Sequence, residues 1–408
     1  MLKGPIFILR GFNMKILFYS IFLIIGMLIF NLIKNRTKGF SKNFIFTLIC
    51  TILIFNIVLN PKVCIDSALE GAQLFFNSVF VSLFPFLVLI NIMLYYDGVN
   101  IYSKLLGGIL CKPLKLPKEC SVVILISILC GYPLGAKYAC ELYEKRIISY
   151  NTCERLISIA SNPSPLFILG AIGTSMLKDP SLGLILLISS YLSCIIMSFL
   201  LPYYENSNNS ISLYRNITKE NTTIGDILKN SIDNALKTSI SIGGFIIFFS
   251  VVTAIIKNNI LFDIVFKSIS SLTGMDLVLL ESFFLGLLEM TNGTHLISEL
   301  NIDILYKLSI MSFLIAFSGI SIISQTYSIT YKYNFPISLY VKRKVLQGIV
   351  CILLTLIIYK SNILDLSKST FNIGMMNYSS INLKKIFIIE IFILSIPIVM
   401  KKLFTRFS

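Results

Sequence analysis

The sequence predicts an all-α integral membrane protein, a polytopic bundle of about 8–10 hydrophobic segments with two internal repeats and helices broken inside the bilayer. Three observations lead there. Of the 408 residues, 55% are hydrophobic and only 13% charged, against roughly 25% charged in a soluble domain. Apolar runs of spanning length recur along the chain, separated by short basic connectors. Several of those runs are interrupted by glycine, proline or asparagine, which a plain membrane helix does not accommodate without help from surrounding protein.

The net charge of +15 does not signal nucleic acid, because no basic stripe with interleaved aromatics appears. The lysines and arginines fall between apolar runs, as topology signals and contacts to lipid head groups do. Nine cysteines are scattered without a Cys-x-x-Cys pair, and there is one histidine. No metal site or cofactor is expected from that set, and the cysteines read as small buried hydrophobes.

Taken in order, residues 1–13 form a short basic lead (Lys3, Arg10), with Met14 as an alternative start. Residues 15–33 are long enough to span and lack a small-residue cleavage site, so they read as a retained anchor. The connector 34–42 carries Lys34, Arg36, Lys38 and Lys42 and no acid, which favours the cytoplasmic side. Residues 44–59 span back. Residues 61–73, with Asp66 and Glu70, are interfacial. Residues 74–96 are apolar but hold Pro85 and Asn91. Residues 97–117 place Lys104, Lys112 and Lys115 among leucines, the pattern of an amphipathic segment in the head-group layer.

The stretch Gly131-Tyr132-Pro133-Leu134-Gly135-Ala136-Lys137 follows, in the middle of the apolar run 122–143. Proline removes a backbone donor and clashes with the preceding turn, and glycine weakens the helix further. The freed N–H and C=O groups must be covered by protein or face a wet cavity. A charged segment, 144–155, fits a short surface helix. Ser161-Asn162-Pro163-Ser164-Pro165 then interrupts the apolar run 156–176, a second break. Residues 182–201 are an uninterrupted span. The Asn-, Ser- and Thr-rich residues 203–237 divide the chain into halves. In the second half, 277–290 is broken by Thr291-Asn292-Gly293, and 305–323 is interrupted at Ser318-Gly319 and closed by Gln325. Residues 345–359 are a plain span, 361–382 are polar, and 386–400 form a last apolar run ending in Lys401, Lys402 and Arg406.

The halves repeat. One displacement sets Pro85 on Gly243, Gly135 on Gly293, Lys137 on His295 and Glu141-Leu142 on Glu299-Leu300. A slightly smaller one sets Asn162-Pro163-Ser164 on Ser318-Gly319-Ile320. Repeats with hydrophobic segments broken in corresponding places point to a transporter site where the repeats meet. Half-helix N-termini there offer unsatisfied N–H groups and partial positive charge to an anion. The candidate substrate-binding residues are Gly131, Tyr132, Pro133, Gly135, Lys137, Asn162, Ser164, Pro165, Thr291, Asn292, Gly293, His295, Ser318, Ser321 and Gln325. Lys137 and His295, equivalent under the repeat, would suit a small dianion. Glu289 lies in an apolar run, where an ionisable group is a functional candidate. It would carry a coupling proton or pair with Lys137. The uncharged side chains would hold substrate or only satisfy the broken backbone. No hydrolase, metalloprotease or P-loop motif is present, so an enzyme is not expected; an intramembrane hydrolase built on Ser164 and His295 is the weaker reading.

Phe84-Pro85-Phe86, Gly131-Tyr132-Pro133-Leu134-Gly135-Ala136-Lys137, Ser161-Asn162-Pro163-Ser164-Pro165-Leu166-Phe167, Gly170-Ala171-Ile172-Gly173, Leu288-Glu289-Met290-Thr291-Asn292-Gly293 and Ser318-Gly319 through Gln325 together resemble the sporulation integral membrane proteins of the YlbJ (SpoVV) type. Those proteins fall in the nucleoside-recognition, or Gate-domain, group. The resemblance covers residues 69–358. The chain departs from the family's usual pattern at Pro163, Ser164 and near Ser318. With the residue pattern outside it, the chain divides into an N-terminal transmembrane hairpin at 1–68, a first Gate repeat at 69–203, a polar linker at 204–237, a second Gate repeat at 238–360, and a polar segment with a hydrophobic helix at 361–408; the name Gate for the two repeats is what the resemblance implies. It also implies a role in endospore formation, moving dipicolinic acid across the outer forespore membrane. The partners expected are a small anionic substrate and the lipid bilayer. A carrier of nucleosides or other metabolites, and a membrane scaffold for spore assembly that transports nothing, are the alternatives.

Overall fold

The computed structural model describes residues 41–202 and 223–361. The expected anchor at 15–33 and the last apolar run at 386–400 lie outside the described residues, as do most of the connector 34–42, the polar linker and the polar segment after 361. The described residues divide into two compact units, with the boundary at Pro61, the first residue of the second helix. In the first lies helix α1 (Ser41–Leu59).

The second unit opens with α2 (Pro61–Leu74), a π-helical turn at Phe75–Phe80 and α3 (Val81–Tyr95). Helix α3 continues through Pro85, and α4 (Gly98–Leu106) leaves it through Asp97 in the left-handed region. Four elements then carry the first pair of breaks: α5 (Ser121–Cys130), α6 (Leu134–Glu144), α7 (Tyr150–Ile159) and the π-helical segment Leu166–Met176. Helix α8 (Pro180–Leu200) closes the first half; Asp179 caps it through Ser181 N–H, with proline at the first helical position, where its missing donor costs nothing. Helix α9 (Ile224–Lys257) starts at a reciprocal capping box between Thr223 and Asp226, each side chain taking a backbone N–H the helix leaves unpaired.

After α10 (Ile260–Thr273), the second pair of breaks is carried by α11 (Leu277–Leu288), α12 (Met290–Glu299), α13 (Ile304–Phe317) and α14 (Gly319–Thr330). Helix α15 (Ile337–Lys360) closes the second half. Asp276 and Asp303 cap α11 and α13 with side-chain oxygens, which marks these helix starts. No strand occurs among the described residues, and the chain is an all-α membrane protein. Among the described residues, three stretches are long and apolar enough to cross a membrane, 180–200, 224–257 and 304–333 (the last spanning α13 and α14), or up to five if each of two bent pairs counts as one.

The order of elements recurs. Helices α5, α6, α7, the segment Leu166–Met176 and α8 correspond to α11, α12, α13, α14 and α15. Helices α3 and α4 precede the first set as α9 and α10 precede the second. In each half a short helix, a break, a second short helix, a third helix, a second break, a fourth helical segment and a long helix follow one another.

Three expectations need correction. The break in the second half falls at Glu289, which is extended (φ −139°, ψ 111°), while Thr291, Asn292 and Gly293 are inside α12. The carboxylate of Glu289 caps the new helix, so the chain can restart at once. The region 144–155 is not a surface helix: the helix is α7, and Thr152, Cys153, Arg155 and Leu156 are buried in it. The last span is not plain either, since α15 begins at Ile337 and buries Lys344 and Gln347.

Candidate functional site

The first half closes its two breaks on each other. Helix α5 ends at Gly131, whose φ of +79° suits a residue without Cβ. A Cβ there would also meet the Ser164 nitrogen and the Pro163 carbon. Tyr132 N–H donates to the Asn162 carbonyl at 2.8 Å. The Asn162 amide is committed to the broken backbone: Nδ2 donates to the Ser127 carbonyl at 3.1 Å, and Oδ1 accepts from Ser127 Oγ at 2.5 Å. Tyr191, from α8, donates to the carbonyls of Ile128 (2.9 Å) and Pro163 (3.2 Å). Ser164 Oγ accepts from Phe167 N–H and Pro165 opens the π-helical segment. Groups that lipid would leave unpaired are thus met by protein.

The second half does the same with roles exchanged. Here the glycine of positive φ, Gly319 at +75°, sits in the later break, and its Cβ position faces Met290 N and the Leu288 carbonyl. Glu289 accepts from the N–H groups of Thr291 (3.1 Å) and Asn292 (2.7 Å). Gly293 lets α12 meet α11 at Gly286. Ser318 is buried and in the left-handed region, with its hydroxyl donating to the Phe317 carbonyl. Ser321 and Gln325 are buried on α14.

Tyr132 joins the halves. Its hydroxyl lies 3.8 Å from Met290 Sδ and 3.5 Å from the Ile315 carbonyl. Tyr132, beside the first break, therefore touches the first residue of α12 and the last turn of α13, the helix ends that flank the two breaks of the other half. Pro133, Pro163 and Gly319 are buried, and Asn292 is half-buried.

The cations are placed differently from expectation. Lys137 donates to Thr238 Oγ1 on α9 at 2.7 Å, so it ties α6 to the second half. His295 is exposed, with 55% of its side chain accessible, and its nearest ionic neighbour is Glu299 at 3.8 Å. The two occupy equivalent helix positions, but only Lys137 has a helix packed over it. The anticipated Lys137–Glu289 ion pair is not made, because Glu289 caps α12 and Lys137 reaches Thr238.

A residue outside the sequence expectations completes the centre. Lys344 on α15 is 1% exposed. Its Nζ donates to the Ser161 carbonyl (3.0 Å), Ser161 Oγ (3.3 Å) and Gln347 Oε1 (3.0 Å), and lies 5.8 Å from the centre of the Tyr132 ring. Tyr340 and Ser161 share a 2.8 Å hydroxyl bond. Gln347 Nε2 reaches Cys194 Sγ at 3.1 Å on α8. Tyr340, Arg343, Lys344 and Gln347 stand at the i, i+3, i+4, i+7 positions of one helix face. That spacing was visible in the sequence, but it lies at the start of an apolar run and reads there as a flank. Near the same face Arg343 pairs with Glu154 at 2.7 Å, and a pocket lined by Glu154, Ser158, Thr330, Tyr340 and Arg343 opens beside them. Among the described residues no cluster of His, Cys, Asp and Glu could hold a metal ion.

Over 332 residues the chain is 26% identical to the sporulation integral membrane protein YlbJ of Bacillus subtilis (strain 168), covering 76% of this chain and 80% of YlbJ. It is a relative of the YlbJ-type sporulation membrane proteins. Location in a membrane follows from that kinship and from the apolar helices. No family model and no solved structure matches the chain.

Proposed function

We propose that this YlbJ relative is a transporter of a small anionic metabolite, with dipicolinate the first candidate, across the outer forespore membrane of sporulating cells. The observation that carries the reading is that Tyr132, beside one helix break, bonds Asn162 at the second and reaches Met290 and Ile315 at the helix ends that flank the other two. Broken helices at a repeat interface are the architecture in which secondary transporters bind their substrates. The polar groups at this centre include a buried ammonium, hydroxyls and amides. A scaffold that only organised other proteins would fill the same space with apolar side chains at lower cost. The sporulation part of the reading comes from the relative's name; dipicolinate, a planar pyridine dicarboxylate, comes from the family resemblance.

The test is made in cells. A sporulating strain that depends on this chain should, when it is deleted, form spores depleted of dipicolinate while the mother cell retains the compound. Re-expression should restore the spore content. Spores with normal dipicolinate after deletion would contradict the proposal.

A further inference from the structure

Lys344 is a buried lysine of the centre that meets the Ser161 carbonyl at the second break but has no charge opposite it. Burying an ammonium ion is costly unless an opposite charge accompanies it. Its three bonds go to neutral oxygens only, those of Ser161 and Gln347. Among the described residues it forms no salt bridge. The acids closest to the centre are engaged elsewhere: Glu289 with the Thr291 and Asn292 amides, Glu154 with Arg343 and Glu141 with Lys145. The positive charge is therefore hydrogen-bonded but not neutralised.

Its surroundings describe what would neutralise it. The Tyr132 ring stands on one side, offering a flat apolar face. Tyr340 stands on another, bonded to the same Ser161 hydroxyl as the lysine. Tyr340 also lines the pocket beside Arg343, so a single hydroxyl separates that pocket from the residue Lys344 touches. Arg343 at the pocket wall is positive and held by Glu154 and by Ser158 Oγ at 3.2 Å. Arg343 and Glu154 balance each other at the pocket wall, so the unpaired charge nearest the pocket is that of Lys344, behind Tyr340 and Ser161.

We propose that Lys344 is a carboxylate-binding residue, reached from the pocket beside Arg343, with Ser161 and Gln347 holding its amine until the anion arrives. The carboxylate replaces neutral oxygens in the coordination of Nζ and forms a charge-assisted bond, which is stronger than the neutral bonds it displaces. The substrate class rests on the transport reading above. The need for an anion rests on the unneutralised lysine alone.

The experiment uses the full chain purified in detergent, with dipicolinate, succinate and the uncharged dimethyl ester of dipicolinate as probes, and thermal stability as readout. The wild type should be stabilised by the two dicarboxylates and not by the ester. Lys344→Met should weaken dicarboxylate binding by at least about 10-fold, as expected for loss of a charged hydrogen bond. Gln347→Glu provides a second arm that keeps the lysine. It sets a carboxylate where an amide oxygen now lies 3.0 Å from Nζ, so the internal charge competes with the ligand. It should weaken binding similarly while the free protein stays folded. Wild-type affinity in both variants, or no dicarboxylate binding by the wild type, would overturn the assignment. Binding without uptake into vesicles would remove the transport reading and leave the subsite. Uptake that both variants preserve would remove the subsite and leave transport.

Discussion

Tyr132 and Met290, separated by 158 residues, touch through the tyrosine hydroxyl and the thioether sulfur at 3.8 Å. In the register that sets Gly135 on Gly293, Tyr132 falls on Met290. The residue after Gly131 therefore touches the first residue of α12, and the ring of Tyr132 lies between the two halves of the chain.

Removing that ring should be costly. Tyr132→Ala is expected to destabilise the protein by about 3–5 kcal/mol, the range for emptying an aromatic site in a packed core. Tyr132→Phe keeps the ring and loses only long contacts of the hydroxyl, so about 1 kcal/mol or less is expected. Thermal unfolding of the purified variants measures both. Equal losses would mean that the hydroxyl, not the ring, holds the halves together.

Glu289 should behave as a helix cap. Both carboxylate oxygens accept N–H groups at the start of α12. Glu289→Ala should cost about 1–2 kcal/mol, and Glu289→Gln should recover much of it because an amide oxygen still accepts. A coupling proton is a different matter, since glutamine cannot carry one. Transport that Glu289→Gln abolishes in a fully folded protein would restore the coupling role over the capping one.

Close approach at the first break gives a sharp contrast between two glycines. A Cβ on Gly135 would lie 1.9 Å from the Ala160 carbonyl oxygen, whereas one on Gly244 meets nothing within 4 Å. Gly135→Ala should destabilise by about 3 kcal/mol or more, because backbone must move. Gly244→Ala, in the exposed middle of α9, should stabilise by roughly 0.5–1 kcal/mol. Cellular accumulation and thermal unfolding report the difference.

The Arg343–Glu154 pair has side chains only 12% and 19% exposed. Removing one partner strands the other, so Arg343→Ala should cost about 3 kcal/mol. The double variant Arg343→Gln with Glu154→Gln should cost less than the sum of its single changes, by about 1–3 kcal/mol. Additive losses in a double-mutant cycle would show that the two side chains do not act as a pair.

Much of the framework was legible in the residues. Gly131-Tyr132-Pro133 and Ser161-Asn162-Pro163 announce breaks because proline and glycine act locally on the backbone, whatever surrounds them. The matching order of the halves could be read for the same reason. What could not be read was which side chain faces which helix. Lys137 and His295 hold equivalent places, yet α9 covers one and leaves the other exposed. Glu289 was conspicuous as an acid in an apolar run, but its partners are backbone amides two and three residues on, which look like any other residues in the sequence. Lys344 escapes a sequence reading because its burial comes from Ser161, in the other half of the chain, and from α8. Tertiary packing decides these assignments, and hydropathy does not carry it.

The most direct measurement is uptake of labelled dipicolinate into proteoliposomes containing only this chain. The account predicts saturable uptake above that of empty vesicles, abolished by Tyr132→Ala in protein that has inserted and folded. Uptake no greater than that of empty vesicles, across both orientations of the gradient, would contradict it.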